Sequence, residues 1–296
     1  MEKTRPISSP LPVFKQLQTH HDPENGVAWL YMDPNERPCF SLTLLHSMRN
    51  FLQCLADQDS KNLRPARDLH YVILASKQSG VFNLGGDLDL FLKLIRKKDK
   101  NAISQYANLC VDIVFRLSTH LRLPLTTIAL VQGDALGGGF EAALSCQVII
   151  AEKSSKLGLP EILFNLFPGM GAYSFLARRL GPREAEKLMV SGKVYTASEL
   201  ADLGVIDVVA DDGKGVNALH DFMRSHSKKQ NAMQGIMDAR DRYNPITHEE
   251  LNDIANIWVD AALQLGAKDL RTMERLVRAQ NQRSKLTPPV NQTLSA

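Results

Sequence analysis

The sequence lacks the features that would assign it to a specialised class. It has four cysteines in 296 residues. Cys39, Cys54, Cys110 and Cys146 stand singly in apolar surroundings without metal or redox spacing, which predicts reduced core residues. Long hydrophobic runs are also missing. No stretch approaches the roughly 18 apolar residues of a membrane span, and the opening MEKTRPISSPLPVF has no apolar core of signal-peptide length. The expectation is a cytoplasmic protein with no membrane insertion. The formal net charge is only +3 and no RNA- or DNA-binding motif accompanies it, so no nucleic-acid partner is expected. The eight histidines show no zinc-ligand spacing, and a G-x-S-x-G elbow, the local signal of many serine hydrolases, is absent. Neither a metal nor a cofactor is expected.

What remains is an ordinary globular composition, 44% hydrophobic and 23% charged, in a chain long enough for one large core or two small ones. Pro6, Pro10, Pro12 and Pro23 among polar residues predict an extended lead-in to about residue 25, lying on the surface. Val27 to Met32 reads as a strand ending at the turn-rich Asp33-Pro34-Asn35-Glu36-Arg37-Pro38. Ser41 is placed to cap a helix from Leu42 to about Ala56, whose Leu45, Met48, Phe51, Leu52 and Leu55 recur at helical spacing. A basic linker (Lys61, Arg64, Arg67) precedes an apolar strand, Tyr71 to Ala75. Arg96-Lys97-Lys98-Asp99-Lys100 reads first as a solvated helix end and second as a docking patch for the phosphate of a pantetheine carrier.

Further on, Ile103 to Leu121 is a long amphipathic helix and Thr126 to Val131 a β-branched strand. Gln147 to Ala151 and Leu157 to Leu159 follow as strands, Gly171 to Leu180 and Arg183 to Val190 as helices. Thr196-Ala197-Ser198-Glu199 is a capping box, and Val205 to Val209 a last strand. Strands alternating with helices give an α/β class. From Lys214 to Arg283 the periodicity is helical only. Leu251, Ile254, Ala255, Trp258, Ala262 and Leu265 mark one face there, and Leu270, Met273, Leu276 and Val277 another.

The chemistry concentrates in VQGDALGGGFEAALSCQVIIAEKSSKLGLPE, from Val131 to Glu161. A strand leads through Gly133 to Gly137, Gly138 and Gly139, and Glu141 follows in an apolar helical segment. Glycines let the backbone approach a ligand, and amides at a helix N-terminus point toward negative charge, so the turn can serve as an oxyanion site. Glycines needed only for close helix–strand packing would give the same spelling. The stretch is neither a dinucleotide fingerprint, lacking G-x-G-x-x-G, nor a phosphate loop, lacking Lys-Ser/Thr after the glycines. A second glycine turn, Phe82-Asn83-Leu84-Gly85-Gly86-Asp87-Leu88, and a second acid, in Leu159-Pro160-Glu161, complete the set.

In this order, with Gly169-Met170-Gly171 after Pro168, these motifs resemble the crotonase (enoyl-CoA hydratase/isomerase) superfamily over roughly Val27 to Ile206. Within it, the glutamate pair, the long C-terminal part and the run PEILFNLFPGMGAYSFLARRLG look most like the diffusible signal factor synthases, which make cis-2-enoic fatty-acid signals for quorum sensing. The resemblance implies an α/β crotonase (ClpP/crotonase-like) spiral of ββα units with a helical C-terminal part. The extended segment would run over 1–25, the core over 26–210 and the helical region over 211–296. It implies Glu141 and Glu161 as catalytic acid and base, 20 residues apart, and the Gly86 and Gly138 amides as oxyanion donors. Gly85, Leu136, Gly137, Met170, Trp258 and Leu276 are the substrate-binding candidates. The implied partners are an acyl carrier protein or CoA thioester as substrate, further copies of the chain in a homotrimer or hexamer, and a regulatory sensor kinase.

The implied activity is dehydration of a 3-hydroxyacyl carrier thioester to the cis-2-enoyl thioester and its hydrolysis to the free acid. A hydratase or isomerase of fatty-acid oxidation and a catalytically silent scaffold are the alternatives. Two departures from the hydratase pattern, Phe40-Ser41-Leu42 in place of N-A-L and Asn83-Leu84 in place of small residues, touch recognition of the carrier and adenine end.

Overall fold

Fully apolar strands need cover on both faces, and Thr126 to Val131 is buried at all six positions. The computed structural model, which describes residues 13–34, 37–60 and 69–286, supplies that cover with helices. In chain order the elements are β1 (Leu17–Asp22), β2 (Val27–Met32), α1 (Leu42–Ser60), β3 (Tyr71–Ser76), β4 (Gly80–Asn83), α2 (Leu88–Lys97) and α3 (Lys100–Ser118). Then come β5 (Thr126–Val131), β6 (Gly133–Leu136), α4 (Gly138–Ser145), β7 (Val148–Glu152), β8 (Lys156–Gly158), α5 (Ala172–Leu180), α6 (Pro182–Ser191), β9 (Val194–Thr196), α7 (Ala197–Asp202) and β10 (Val208–Ala210). Helices α8 (Gly215–Ser227), α9 (Gln230–Tyr243), α10 (His248–Leu263) and α11 (Ala267–Leu286) close the chain, and 3-10 turns lie at His120–Arg122 and Pro160–Phe164.

The strands form two sheets, β1-β2-β3-β5-β7-β10 and β4-β6-β8-β9. All neighbours are parallel except the edge pairs β1–β2 and β8–β9. Each turn of the chain therefore sends a long strand into the first sheet and a short one into the second, then a helix across: β3-β4-α2 and β5-β6-α4. This is the crotonase spiral of ββα units, followed by a helical C-terminal part. Phe40, Phe51, Phe82 and Phe140 are fully buried at its centre. A smaller core on the outer face of the first sheet packs Trp29, Tyr71, Ile73, Ile128 and Leu130 against Leu219 and Met223 of α8. Among the described residues no helix is long and apolar enough to cross a membrane.

The structure departs from sequence expectation mainly in its strands, of which Gly80–Asn83 and Val194–Thr196 had no sequence signal. The lead-in is not only surface chain: Leu17–Asp22 pairs antiparallel with β2 in full register and Leu17 is buried. Its polar residues hide the strand, because an edge strand needs only one apolar side. Gly133–Leu136, read as part of a tight turn, is a strand paired parallel with β4 and β8; at four residues it is too short for alternation to register. The last strand starts at Val208 rather than Val205, because the Val205 and Ile206 amides donate to the Leu200 carbonyl behind α7. The Thr196–Glu199 capping box is present. The early prolines Pro6, Pro10 and Pro12, the loop residues Asn35 and Glu36, and the basic linker Lys61, Arg64 and Arg67 lie outside the described residues.

Successive turns of the spiral stack at distances only glycine allows. A Cβ on Gly139 would lie 2.1 Å from the Asn83 carbonyl oxygen, and one on Gly133 would lie 2.1 Å from the Gly80 carbonyl carbon. Gly235, in α9, has nothing within 4 Å of such a Cβ. Gly139→Ala is therefore expected to lower unfolding free energy by about 1–3 kcal/mol through forced backbone displacement. Gly235→Ala should raise it by about 0.5–1 kcal/mol through helix propensity. Denaturant melts of both variants check the pair, and equal effects would contradict the packing argument.

Candidate active site

The two glycine turns meet. A Cβ on Gly85, where φ is +93°, would lie 2.9 Å from the Leu136 carbonyl oxygen and 3.0 Å from the Gly138 nitrogen. One on Gly138 would sit 3.5 Å from the Gly86 nitrogen. Hydrogen bonding then sorts the four amides. Gly85 N–H donates to the side chain of buried Asn83 at 2.8 Å, and Gly137 N–H donates to the Gly158 carbonyl at 2.9 Å. The Gly86 and Gly138 amides, each the next in sequence, have no acceptor among the described residues. Asn83, one of the departures from the hydratase pattern, thus occupies the Gly85 amide and leaves that of Gly86 available.

Gly86 is fixed from both sides. The Phe40 amide donates to the Gly85 carbonyl at 2.8 Å. The Tyr106 hydroxyl donates to the Phe40 carbonyl at 2.5 Å and accepts from the Asp87 amide at 3.3 Å. Asp87 caps α2 by accepting from Leu90 N–H and pairs with Arg37 at 2.9 Å. This pair is half-buried and its main effect is to hold the turn rather than to add stability.

Glu141 lies in the first turn of α4 and is 2% exposed. Its Oε1 accepts from the Met170 amide at 2.7 Å and the Ala172 amide at 3.0 Å, which converge because Gly171 between them takes φ +109°. Burial pushes the Glu141 carboxyl well above the ordinary carboxylate range, and the Ala172 and Met170 donors pull part of the way back. Glu161 stands in the 3-10 turn after Pro160. Its Oε1 lies 2.4 Å from where a Cβ on Gly137 would be, so that glycine makes room for the carboxyl. Its Oε2 is buried without a hydrogen-bond partner among the described residues. Burial first, and the Glu141 charge second, push Glu161 up as well. Two buried carboxyls that repel each other's charge titrate as a pair, each making ionisation of the other harder.

Two adjoining cavities open onto this pair. The inner one, about 60 Å³, is bounded by Gly86, Gly138, Glu141, Glu161, Met170 and Trp258, with Phe40, Phe91, Tyr106 and Cys110 behind them. The outer one, about 170 Å³, is bounded by Gly85, Gly86, Leu136, Gly137, Glu161 and Leu276. Leu88 and Phe164 border both. All ten residues named from the sequence lie on one cavity or the other. Trp258 packs edge-on against Phe91 at 5.2 Å, and Phe91 against Tyr106 at 4.8 Å. Gly169 lets the indole approach, since a Cβ there would fall 2.2 Å from its ring. Sequence reading missed Phe91, Tyr106 and Phe164. Tyr106 had a usable signal, a polar-tipped aromatic one turn from Ile103 and Cys110 on the buried face of α3. Cys39, Cys110 and Cys146 are buried and Cys54 is half-buried; all four are free thiols.

An acid whose folded-state pKa is raised favours the protonated fold, and that contribution is full below the unfolded value of about 4.3 and is lost as pH rises through the folded value. Glu161→Gln removes the group, so its melting temperature should exceed that of the wild type at about pH 9 and fall to or below it at about pH 4. Melting curves at the two pH values check this, and a pH-independent difference would contradict the burial argument.

A family model described as enoyl-CoA hydratase/isomerase matches residues 24–253. The chain is 33% identical over 189 residues to enoyl-CoA isomerase/hydratase fer4 of Mycosarcoma maydis, covering 62% of this chain and 65% of that protein. It is 30% identical over 158 residues to the mitochondrial methylglutaconyl-CoA hydratase of Mus musculus, covering 53% and 48%. The chain thus spans less than two thirds of the length of these curated relatives. Among solved structures, enoyl-CoA hydratase of Bacillus halodurans superposes with a TM-score of 0.72 at 21% identity, over 90% of this chain and 100% of that one. Human mitochondrial delta3-delta2-enoyl-CoA isomerase gives 0.71 at 19%, over 92% and 99%. DspI of Pseudomonas aeruginosa gives 0.65 at 19%, over 92% and 98%. At these identities the structural likeness is one of fold.

Proposed function

This chain belongs to the enoyl-CoA hydratase/isomerase family, whose model spans residues 24–253, and on that premise we propose that it dehydrates a 3-hydroxyacyl thioester and then hydrolyses the enoyl product, as a diffusible signal factor synthase. One observation carries the reading: two unengaged amides, Gly86 and Gly138, flank a cavity that also holds two buried, charge-coupled carboxyls. Loss of the α-proton puts negative charge on the thioester oxygen, where the amides would receive it. One such donor is worth about 10²–10³ in rate. Of the glutamate pair, the ionised member takes the C2 proton and the protonated member gives its proton to the departing 3-hydroxyl, which leaves as water. The pair ends with the same single proton, on the other carboxyl.

The released water sits beside a carboxylate. Its attack on the thioester carbonyl returns charge to the same oxygen and the same two amides, and collapse of the tetrahedral species expels the thiol and leaves the free 2-enoic acid. In this reading an acyl carrier protein brings the substrate and no cofactor takes part. The assembly expected with it is a homotrimer or hexamer under a regulatory sensor kinase. The second reading, a hydratase or isomerase of fatty-acid oxidation, draws on the same acids and amides and on the names of the similar proteins, but stops at the thioester. A silent scaffold would have no use for two buried carboxyls without a neutralising cation.

Purified protein is expected to convert a 3-hydroxyacyl carrier thioester, and separately a cis-2-enoyl carrier thioester, to the free acid, read by mass analysis. Glu141→Gln and Glu161→Gln should each cut both conversions by about 10²–10⁴ while folding normally. Dehydration without cleavage of the enoyl thioester would favour the second reading. Leu136→Trp, which fills the outer cavity, should shift the preferred acyl chain to shorter lengths. An unchanged chain-length profile would remove Leu136 from the lining.

A further inference from the structure

Two helices border the outer cavity, α2 through Leu88 and α11 through Leu276. Each buries one face, α2 with Phe91, Leu92 and Ile95 and α11 with Met273 and Val277. The opposite faces are exposed and basic. Arg96 and Lys97 stand on α2, and Arg271, Arg275 and Arg278 recur at helical spacing on α11. The Arg96–Glu274 ion pair ties the two faces together. Over 88–100 and 267–278 nine cationic residues stand against four acidic ones, an excess larger than the +3 of the whole chain. The remainder of the protein is therefore net acidic, and the positive charge is gathered at this one edge of the site.

The four acids are already engaged. Asp89 pairs with Lys93 at 2.7 Å, Asp99 accepts from the Ala102 amide at 3.1 Å, Asp269 accepts from the Gly266 amide at 2.9 Å, and Glu274 holds Arg96. Lys97, Lys98, Lys268, Arg271, Arg275 and Arg278 have no acidic partner among the described residues. Like-charged side chains held on one surface cost free energy that a complementary partner recovers. The free cations lie on two helices, Lys97 on α2 beside Lys98, and Lys268, Arg271, Arg275 and Arg278 on α11, where Arg271 to Arg278 spans about 10 Å of the helix axis. Free cations spread over two helices suit an acidic protein face, which can meet several of them at once.

We propose that the basic α2–α11 surface is the docking surface for an acidic acyl carrier protein, which threads its thioester past Leu88 and Leu276 to the glutamate pair. The proposal rests on the thioester chemistry inferred above and names the partner that chemistry uses. It also gives the run Arg96-Lys97-Lys98-Asp99-Lys100 a role: the run joins α2 to α3, with Lys98 in the left-handed conformation that turns the chain.

The test compares one acyl group carried on three thiols, the carrier protein, CoA and pantetheine, in wild type, in Arg271→Glu/Arg275→Glu and in Lys97→Glu. Reversal should raise KM for the carrier thioester by about tenfold or more, with kcat kept and with CoA and pantetheine thioesters within about twofold of wild type. Wild-type carrier affinity should fall with salt, and the variants should lose most of that dependence. Binding of the thiol-bearing carrier to a Glu141→Gln background, read by fluorescence anisotropy, reports docking without turnover, so failure of the chemistry and failure of the surface are separable. Three results would overturn the proposal: equal weakening of carrier and CoA substrates, which assigns the surface to nucleotide phosphates; lost binding to anionic phospholipid vesicles with carrier binding intact, which assigns it to a membrane surface; or no change in any arm.

Discussion

The site depends on the contact between two turns that carry no side chains. Gly85 and Gly86 lie against Gly137 and Gly138 so closely that a Cβ on Gly85 would strike the backbone of the facing turn, which brings the Gly86 and Gly138 amides together. The contact is enforced from outside. Asn83 and Phe40 secure one turn, the β6–β8 pairing and the Gly158 carbonyl secure the other, and the ββα spiral stacks them. Because the Gly85 and Gly137 amides are already bonded, the remaining two keep a fixed direction, and in the proposed reaction no reorganisation would be needed as charge developed between them.

The same close approach governs the acids. Gly137 makes room for the Glu161 carboxyl, and Gly171 lets the Met170 and Ala172 amides converge on Glu141. Two carboxyls in an apolar pocket would ordinarily be a liability, since burial of each charge is costly and no cation offsets it. Here that cost is useful. It lifts both groups out of the acidic range, and the hydrogen bonding is unequal, with two donors on Glu141 Oε1 and none among the described residues on Glu161 Oε2, so the two carboxyls are chemically distinct.

The two glycine turns and the two acids were legible in the sequence as a set in order along the chain, since a glycine turn taken alone could serve only close helix–strand packing. Long strands and amphipathic helices were legible for the ordinary reason that burial imposes periodicity. What could not be read was set by partners distant in the chain. Strand β1 exists because β2 offers it an edge, and β4 and β6 exist because they pair with each other and with β8. Tyr106 acts through the Phe40 carbonyl and the Asp87 amide, contacts 66 and 19 residues away, and neither alters its local spelling. The charge run at Arg96 is ambiguous in sequence because its counterpart, Arg271 to Arg278, lies on another helix.

Chemistry and selection therefore come from different parts of the chain. The spiral core provides both amides and both acids, and its tolerances are tight, because displacing either turn changes the direction of a donor. The inner cavity, by contrast, is closed by Phe91 on α2 and Trp258 on α10, two rings in edge contact with glycine beneath one of them, and the outer one by Leu276 on α11. Helices α10 and α11 lie outside the ββα stack, whereas Phe91 on α2 is tied to the first glycine turn, its ring lying 2.6 Å from where a Cβ on Gly86 would be. In the proposed reaction, acyl length and carrier preference would vary on α10 and α11 while the core continued to stabilise the same oxygen.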